Sequence, residues 1–275
     1  MDFDWAFFTD ALFHPSEAFL IGLWRVVYIS LLAQGAGTLV GLFVALARRS
    51  RFLVLRRVAA TWVWLIRGTP LLVQLVLVYN GLAATGIYRF EDAQLGPLVL
   101  LGVIQAAVIT LALNESAYMA EIIRAALDSL DIGQDEAAKA LGMTPAQSMR
   151  LVQLPQALRI VVPPLGNEFN LMMKSTSLLS VIGVQEMFLT AQAINSATFK
   201  TFEIFLVAAA YYLLLTTLWG FVQGWLERRV DLDVPLGTSG RNRWLARITT
   251  WRRAPLPVVA PTPTSSTPTA EEARA

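Results

Sequence analysis

The side chains able to do chemistry in this 275-residue chain are few, and their types exclude most catalysis. There is no cysteine, so no thiolate nucleophile, thiolate metal site or disulfide framework can be built. His14 is the sole histidine, which leaves a zinc centre without its usual ligands. Lys139, Lys174 and Lys200, the only lysines, follow Ala, Met and Phe; the Gly-Lys-Ser/Thr phosphate loop is absent, and the chain cannot hydrolyse ATP by that route. No Gly-x-Ser-x-Gly turn exposes a serine nucleophile. What remains is polar groups set in apolar surroundings. Asn167, Glu168, Asn170 and Lys174 cluster, and positions 167, 170 and 174 share a helical face by steps of three and four. Lys174 with Glu168 offers a cation and an anion to a zwitterionic solute; an internal pair, or an ammonium reaching an interface on its alkyl stem, is the competing account of them. Gln74, and with it Asn80, Gln105, Asn114 and Glu115, leaves substrate contact and inter-helix hydrogen bonding both open.

The elements that must position these groups lie in a membrane. Hydrophobic residues make up 55% of the chain and charged ones 15%, against roughly 45–50% and about 25% in soluble domains. Four windows carry no charge and can each cross about 30 Å of hydrocarbon as a helix: Val26 to Ala47, Gly68 to Tyr88, Ala93 to Asn114 and Ile204 to Leu226. A fifth, Phe169 to Ile194, is interrupted by Lys174 and Glu186, which must face protein or water. The pattern predicts an all-α membrane protein with five transmembrane helices at about 26–47, 62–82, 95–116, 168–190 and 204–226. They form one domain over 25–228, between an acidic segment 1–24 and a tail 229–275 rich in Pro, Thr and Ser beyond Pro255, which is too polar to pack and is expected to be largely disordered. Placing the N-terminus outside puts 18 basic residues on the cytoplasmic side and only Arg89 and Lys200 outside, with the tail cytoplasmic. The acidic first residues do not fit a cleavable signal peptide, so the first span is retained. Within it Ala33, Gly37, Gly41 and Ala45 form a small-residue stripe suited to close packing against another helix of the same chain. Trp62, Trp64, Trp219 and Trp225 are placed as interfacial anchors near span ends.

The connection from Glu115 to Glu168 is far longer than a helical hairpin needs. Asp131 and Gln134 form a capping-box pattern, a run of helix formers follows to Leu141, and Gly142 suits a left-handed helix end. Thr144, Pro145 and Gln147 then start a second helix, predicted to run to about Gln153 and to be stopped by Pro155. This helix, glycine turn, helix pattern could be a DNA-binding motif, an amphipathic hairpin on the membrane surface, or a docking element for a cytoplasmic partner. Against nucleic acid stand the acids Asp128, Asp131, Asp135 and Glu136, which outnumber Lys139 and Arg150.

Glu136-Ala137-Ala138, Gly142 and Val152-Gln153-Leu154-Pro155 resemble the EAA motif of ABC importer permeases, with Val152 in place of the usual Ile. Arg67 to Gln74, Ala117 to Ile122 and Lys174 to Leu178 are similar to segments of the polar amino-acid uptake subfamily, so that the resemblance spans about residues 20–230. Ser175 departs from the Asp usual in that subfamily. The resemblance implies a type I ABC importer fold whose cytoplasmic helix-turn-helix coupling loop, about 131–155, inserts into an ATPase. It implies ATPase-coupling roles for Glu136, Ala137, Ala138, Gly142, Thr144, Pro145, Leu154 and Pro155, and a substrate path drawn from Asn167, Glu168, Asn170, Lys174 and Gln74. Implied partners are the ATPase with its ATP and Mg, a second permease copy or paralogue, an extracytoplasmic substrate-binding protein and membrane lipid; the chain itself would bind no cofactor or metal. It would lie in the plasma membrane of a prokaryote. A self-contained ion-coupled carrier is the competing function, against which stands the lack of any visible internal repeat. A membrane-embedded enzyme would lack a nucleophile with its base.

Overall fold

The computed structural model describes residues 3–95 and 98–231, all within one compact unit, Met1–Asp233. From residue 232 onward the expected disordered tail lies outside the described residues. Helix α1 (Trp5–Phe13) is capped by Asp4, whose carboxylate accepts from the Phe7 amide at 2.9 Å. A second cap, Ser16, starts α2 (Glu17–Arg48), a single 32-residue helix. Helix α3 (Leu53–Arg67) follows and ends at Gly68.

The chain then turns sharply into α4 (Leu71–Val76), which continues through a π turn at Leu77–Gly81 into α5 (Leu82–Ala84). The bend between the two parts is 103°, so the continuous helix expected over 62–82 is instead broken. Pro70 supplies no amide hydrogen and keeps Thr69 out of the helical region, which ends α3 and starts α4 on a new axis. Composition could not show this, because apolar content is blind to direction.

A short hairpin, β1 (Ala93–Leu95) and β2 (Leu98–Leu100), stands where the start of a span over 95–116 was expected. The helix itself, α6, begins at Gly102 and runs to Asp128. Asp92 accepts from the Gly102 amide at 2.7 Å, and a Cβ at Gly102 would come within 2.4 Å of the Phe90 carbonyl oxygen. The loop thus folds tightly over the end of α6, where only glycine fits.

Beyond α6 lie α7 (Ile132–Ala140) and α8 (Pro145–Ser148), then a π turn at Met149–Gln153 that leads directly into α9 (Leu154–Ser175). Pro155 therefore does not stop the second loop helix. Its missing amide hydrogen and its ring would disturb an α-helical turn, and the π turn immediately before it absorbs that disturbance, so helical structure runs unbroken from Pro145 to Ile182. The helix expected over 168–190 consequently starts far earlier. It tightens to a 3-10 turn at Thr176–Ile182 and ends at Gly183, with φ +88°. Glu186 then caps α10 (Met187–Thr198), bent 52° from what precedes it. The last helix, α11, covers Thr201–Asp231.

Helices α2, α6 and α11 are each long and apolar enough to cross a membrane, and the two bent pairs raise the number to five if each is one span. The core is the contact of α2 with α6. A Cβ at Gly37 would fall 2.6 Å from Glu115 Cβ, and one at Gly41 2.7 Å from Met119 Cβ, so the two helices run parallel with their backbones close. Ala33 and Ala45 are fully buried on the same stripe, which packs within the chain as its spacing predicts. Trp62 and Trp219, expected near span ends, make specific contacts within the chain. The Trp62 indole donates to Ser116 Oγ at 3.1 Å, midway along α6, and that of Trp219 donates to the Gly166 carbonyl at 2.8 Å. Each ties two helices together.

Candidate functional site

Two regions gather the polar groups. The first is the elbow between α3 and α4, which lies beside Asn114 and therefore at the middle of α6. The turn leaves carbonyls without helical partners, and Gln74 takes them up: its amide nitrogen reaches Ile66 O at 2.8 Å, Thr69 O at 3.1 Å and Thr69 Oγ1 at 2.7 Å. Asn114 Nδ2 donates to Gln74 Oε1 at 2.9 Å. Both ends of the Gln74 carboxamide are thus engaged in holding the elbow.

At the end of α3, the Arg67 guanidinium sits 5.2 Å over the Tyr118 ring. Glu168, half-buried on α9, lies within electrostatic reach of Arg67 and of the buried Glu115. Arg67 thus carries positive charge at the elbow, with the Glu168 carboxylate within its electrostatic reach. Lys174 is exposed on another face of α9, beside a cavity of about 450 Å³ with Ser177, Phe188, Phe205 and Tyr212. Asn167 is exposed, and Asn170 keeps a buried Oδ1 without a partner among the described residues. The electrostatic influence of Arg67 on Glu168 is not legible locally, since about a hundred residues separate them; the Gly68-Thr69-Pro70 break was the available signal. Glu186, the other charge within an apolar run, is fully buried and satisfied: it accepts from the Phe188 and Leu189 amides at 2.8 Å each and from Tyr212 Oη at 3.1 Å.

The second region is the loop between α6 and α9. Gly142 has φ +76°, the left-handed geometry its position called for, and it follows an α7 capped by Asp131. The Asp131 carboxylate accepts from Gly133, while Gln134 reaches Gln156 at 3.3 Å and so fastens α7 to α9. At Thr144 the reciprocal capping box with Gln147 forms, and Pro145 occupies the first turn of α8. Glu136 and Ala137 are exposed and Ala138 is buried; Leu154 is half-buried and Pro155 exposed. Around them Ile132, Leu141 and Leu151 stand 76%, 77% and 62% exposed, an apolar rim that the motif alone did not single out. Next to the loop, Arg48 pairs with Glu121 and Arg49 with Asp128, while Arg124 bridges both acids at 2.9 and 2.7 Å. These pairs fasten the ends of α2 and α6 together where the loop begins. Among the described residues no group of His, Asp and Glu side chains could hold a metal ion.

Comparison with known proteins places this architecture. The profile described as "Binding-protein-dependent transport system inner membrane component" matches residues 37–232. The glutamine transport system permease protein of Escherichia coli K12 is 36% identical over 232 residues, covering 84% of this chain and all of that protein. The arginine transport system permease protein of Corynebacterium glutamicum is 38% identical over 75% of this chain and 66% of its own length. A crystal structure of an amino acid ABC transporter with histidines superposes with a TM-score of 0.72 at 39% identity, covering 83% of this chain and all of that one. An inward-facing MetNI methionine ABC transporter shares the fold at a TM-score of 0.62 and 20% identity, over 78% of this chain and 99% of that one. Matched to such proteins along most of its length, the chain belongs to the inner-membrane components of binding-protein-dependent transport systems, the permease subunits of ABC importers.

Proposed function

We propose that this permease forms the membrane path for a polar amino acid and is driven by a separate cytoplasmic ATPase seated on the 131–155 loop. The observation that carries the reading is the helical run from Pro145 to Ile182, which joins the exposed loop to the segment bearing Glu168 without a flexible joint. A rigid lever of this kind transmits a nucleotide-driven movement of the ATPase into the bundle, whereas a loose loop would absorb it. ATP and Mg would be held by that partner, and an extracytoplasmic binding protein would deliver the substrate. The basic asymmetry supports a cytoplasmic loop and C-terminus and an external N-terminus, in a prokaryotic plasma membrane.

A second permease copy or a paralogue would complete the path, covering the exposed α9 face that carries Asn167 and Lys174. Within each copy, Arg67 would meet the substrate carboxylate and Glu168 its ammonium, beside a broken helix. The apolar rim of Ile132, Leu141 and Leu151 would be buried by the ATPase, with Glu136 at its edge. The natural lack of cysteine makes the test clean. Ala137→Cys, the sole thiol of the chain, should cross-link to the co-expressed ATPase, and a control cysteine at Asn195, which should lie on the opposite membrane face, should not. Equal cross-linking at both, or none at Ala137→Cys, would overturn the docking assignment.

A further inference from the structure

Glu115 was weighed above as a polar group of the path, but its surroundings give it a different task. It is 4% exposed in the middle of α6, and the Gln34 amide of α2 donates to its Oε1 at 2.8 Å. The site is shaped for it: a Cβ at Gly37 would lie 2.6 Å from Glu115 Cβ and 2.8 Å from Cγ, so only glycine leaves the space.

The hydrogen-bond inventory is then one donor short. Gln34 is 6% exposed, and its nitrogen bonds Glu115 and reaches Thr38 Oγ1 at 3.4 Å, yet its own Oε1 has no partner among the described residues. A carboxylate can only accept, so an ionised Glu115 leaves the Gln34 oxygen buried and unpaired. A neutral carboxylic acid supplies the missing donor, and the acid and amide then close a ring of two complementary hydrogen bonds.

The groups around Glu115 agree. From α2 comes Gln34, with Thr38 beside it, both uncharged. The facing charge on α9 is Glu168, itself attracted by Arg67 of α3, while Glu121 further along α6 is held by Arg48 and Arg124. Among the described residues no cation pairs with Glu115 to hold it ionised.

We propose that Glu115 works as a neutral acid paired with the Gln34 carboxamide, a lock between α2 and α6 that positions neighbouring Asn114 against the elbow, and that it does not bind substrate. This makes it a positioning residue and not a further charge in the path. The proposal does not depend on which solute is carried.

The test uses the full-length chain in membrane lipid. Infrared difference spectra of wild type against Glu115→Gln should show a protonated carboxylic carbonyl band at neutral pH that the variant lacks. Glu115→Gln keeps two complementary hydrogen bonds and should unfold near the wild-type temperature, as should the exchanged pair Gln34→Glu with Glu115→Gln, which should regain the band. Glu115→Ala leaves the Gln34 amide unpaired and should unfold at least about 2–4 °C lower. Absence of the band in wild type, or an unfolding temperature for Glu115→Gln as low as for Glu115→Ala, would overturn the proposal in favour of an ionised Glu115 with water at the Gln34 oxygen. The infrared comparison stands even if Glu115→Ala fails to fold.

Discussion

Replacing Gly142 tests the coupling loop through a single backbone angle. At φ +76° the residue joins α7 to α8, its amide donating to Lys139 O at 2.9 Å and that of Met143 to Ala138 O at 3.0 Å. A Cβ there meets nothing within 4 Å, so a substitution clashes with no neighbouring side chain and its cost is the left-handed backbone itself. That cost is about 1–2 kcal/mol for an ordinary L-residue, which lowers the population of the docking-competent turn by a factor of about 5–30. A β-branched side chain lies at the upper end of this range or beyond it, whereas asparagine visits the same region readily. Gly142→Val should therefore weaken association with the ATPase about 30-fold or more, and Gly142→Asn should leave it nearly unchanged. The assay is titration of the purified ATPase onto each variant in nanodiscs, with thermal unfolding of the permease as a check that the helices remain intact. Wild-type affinity for the valine variant, or equal losses for valine and asparagine, would refute the claim that this turn shapes the docking surface.

Gln74→Leu exposes the elbow carbonyls that the amide covers and should destabilise the chain by about 1–3 kcal/mol, read as a lower unfolding temperature. Arg67→Ala should abolish uptake while ATPase recovery on co-purification stays normal; unchanged uptake would remove Arg67 from the path. On the side proposed as external, Lys200 pairs with Asp4 at 2.9 Å and fastens α1 to the start of α11. The Phe7 amide and the Lys200 ammonium hold the Asp4 carboxyl below its ordinary value of 3.8, and Asp4 holds the Lys200 amine above 10.5. The lowered acid stabilises α1 above 3.8 and loses that effect as pH falls through its folded value; the raised amine does so below 10.5 and loses it as pH rises through its own. Protection of the α1 amides, taken relative to the intrinsic exchange rate at each pH, should be greatest between those limits, and Lys200→Met should weaken the dependence at both ends.

Much of the architecture was readable because it is local. The charge-free run from Val26 to Ala47 lies within α2, and that from Ile204 to Leu226 within α11, since an apolar run and a straight helix coincide there. Gly142, Thr144, Pro145 and Gln147 were readable because capping is decided by neighbours within four residues. The elbow was not, although Gly68 and Pro70 mark it, because hydropathy measures how apolar a stretch is and not where it points. The second break escaped for another reason. Gly183 adopts the left-handed region and buried Glu186 caps the next helix, yet a glutamate within an apolar run reads as a charge and not as a cap. Pro155 misled in the opposite direction, since a π turn carries the helix through it. The charge that acts on Glu168, Arg67 at the end of α3, is set by the tertiary fold, which no window of sequence contains.

The most direct measurement is solute uptake by proteoliposomes containing this permease, with L-glutamine and L-arginine as the probes suggested by its relatives. Uptake should require the partner ATPase, internal ATP with Mg, and the binding protein outside, and should vanish when the ATPase is omitted. Uptake by the permease alone, driven by a proton or sodium gradient, would contradict the account and make the chain a self-contained carrier.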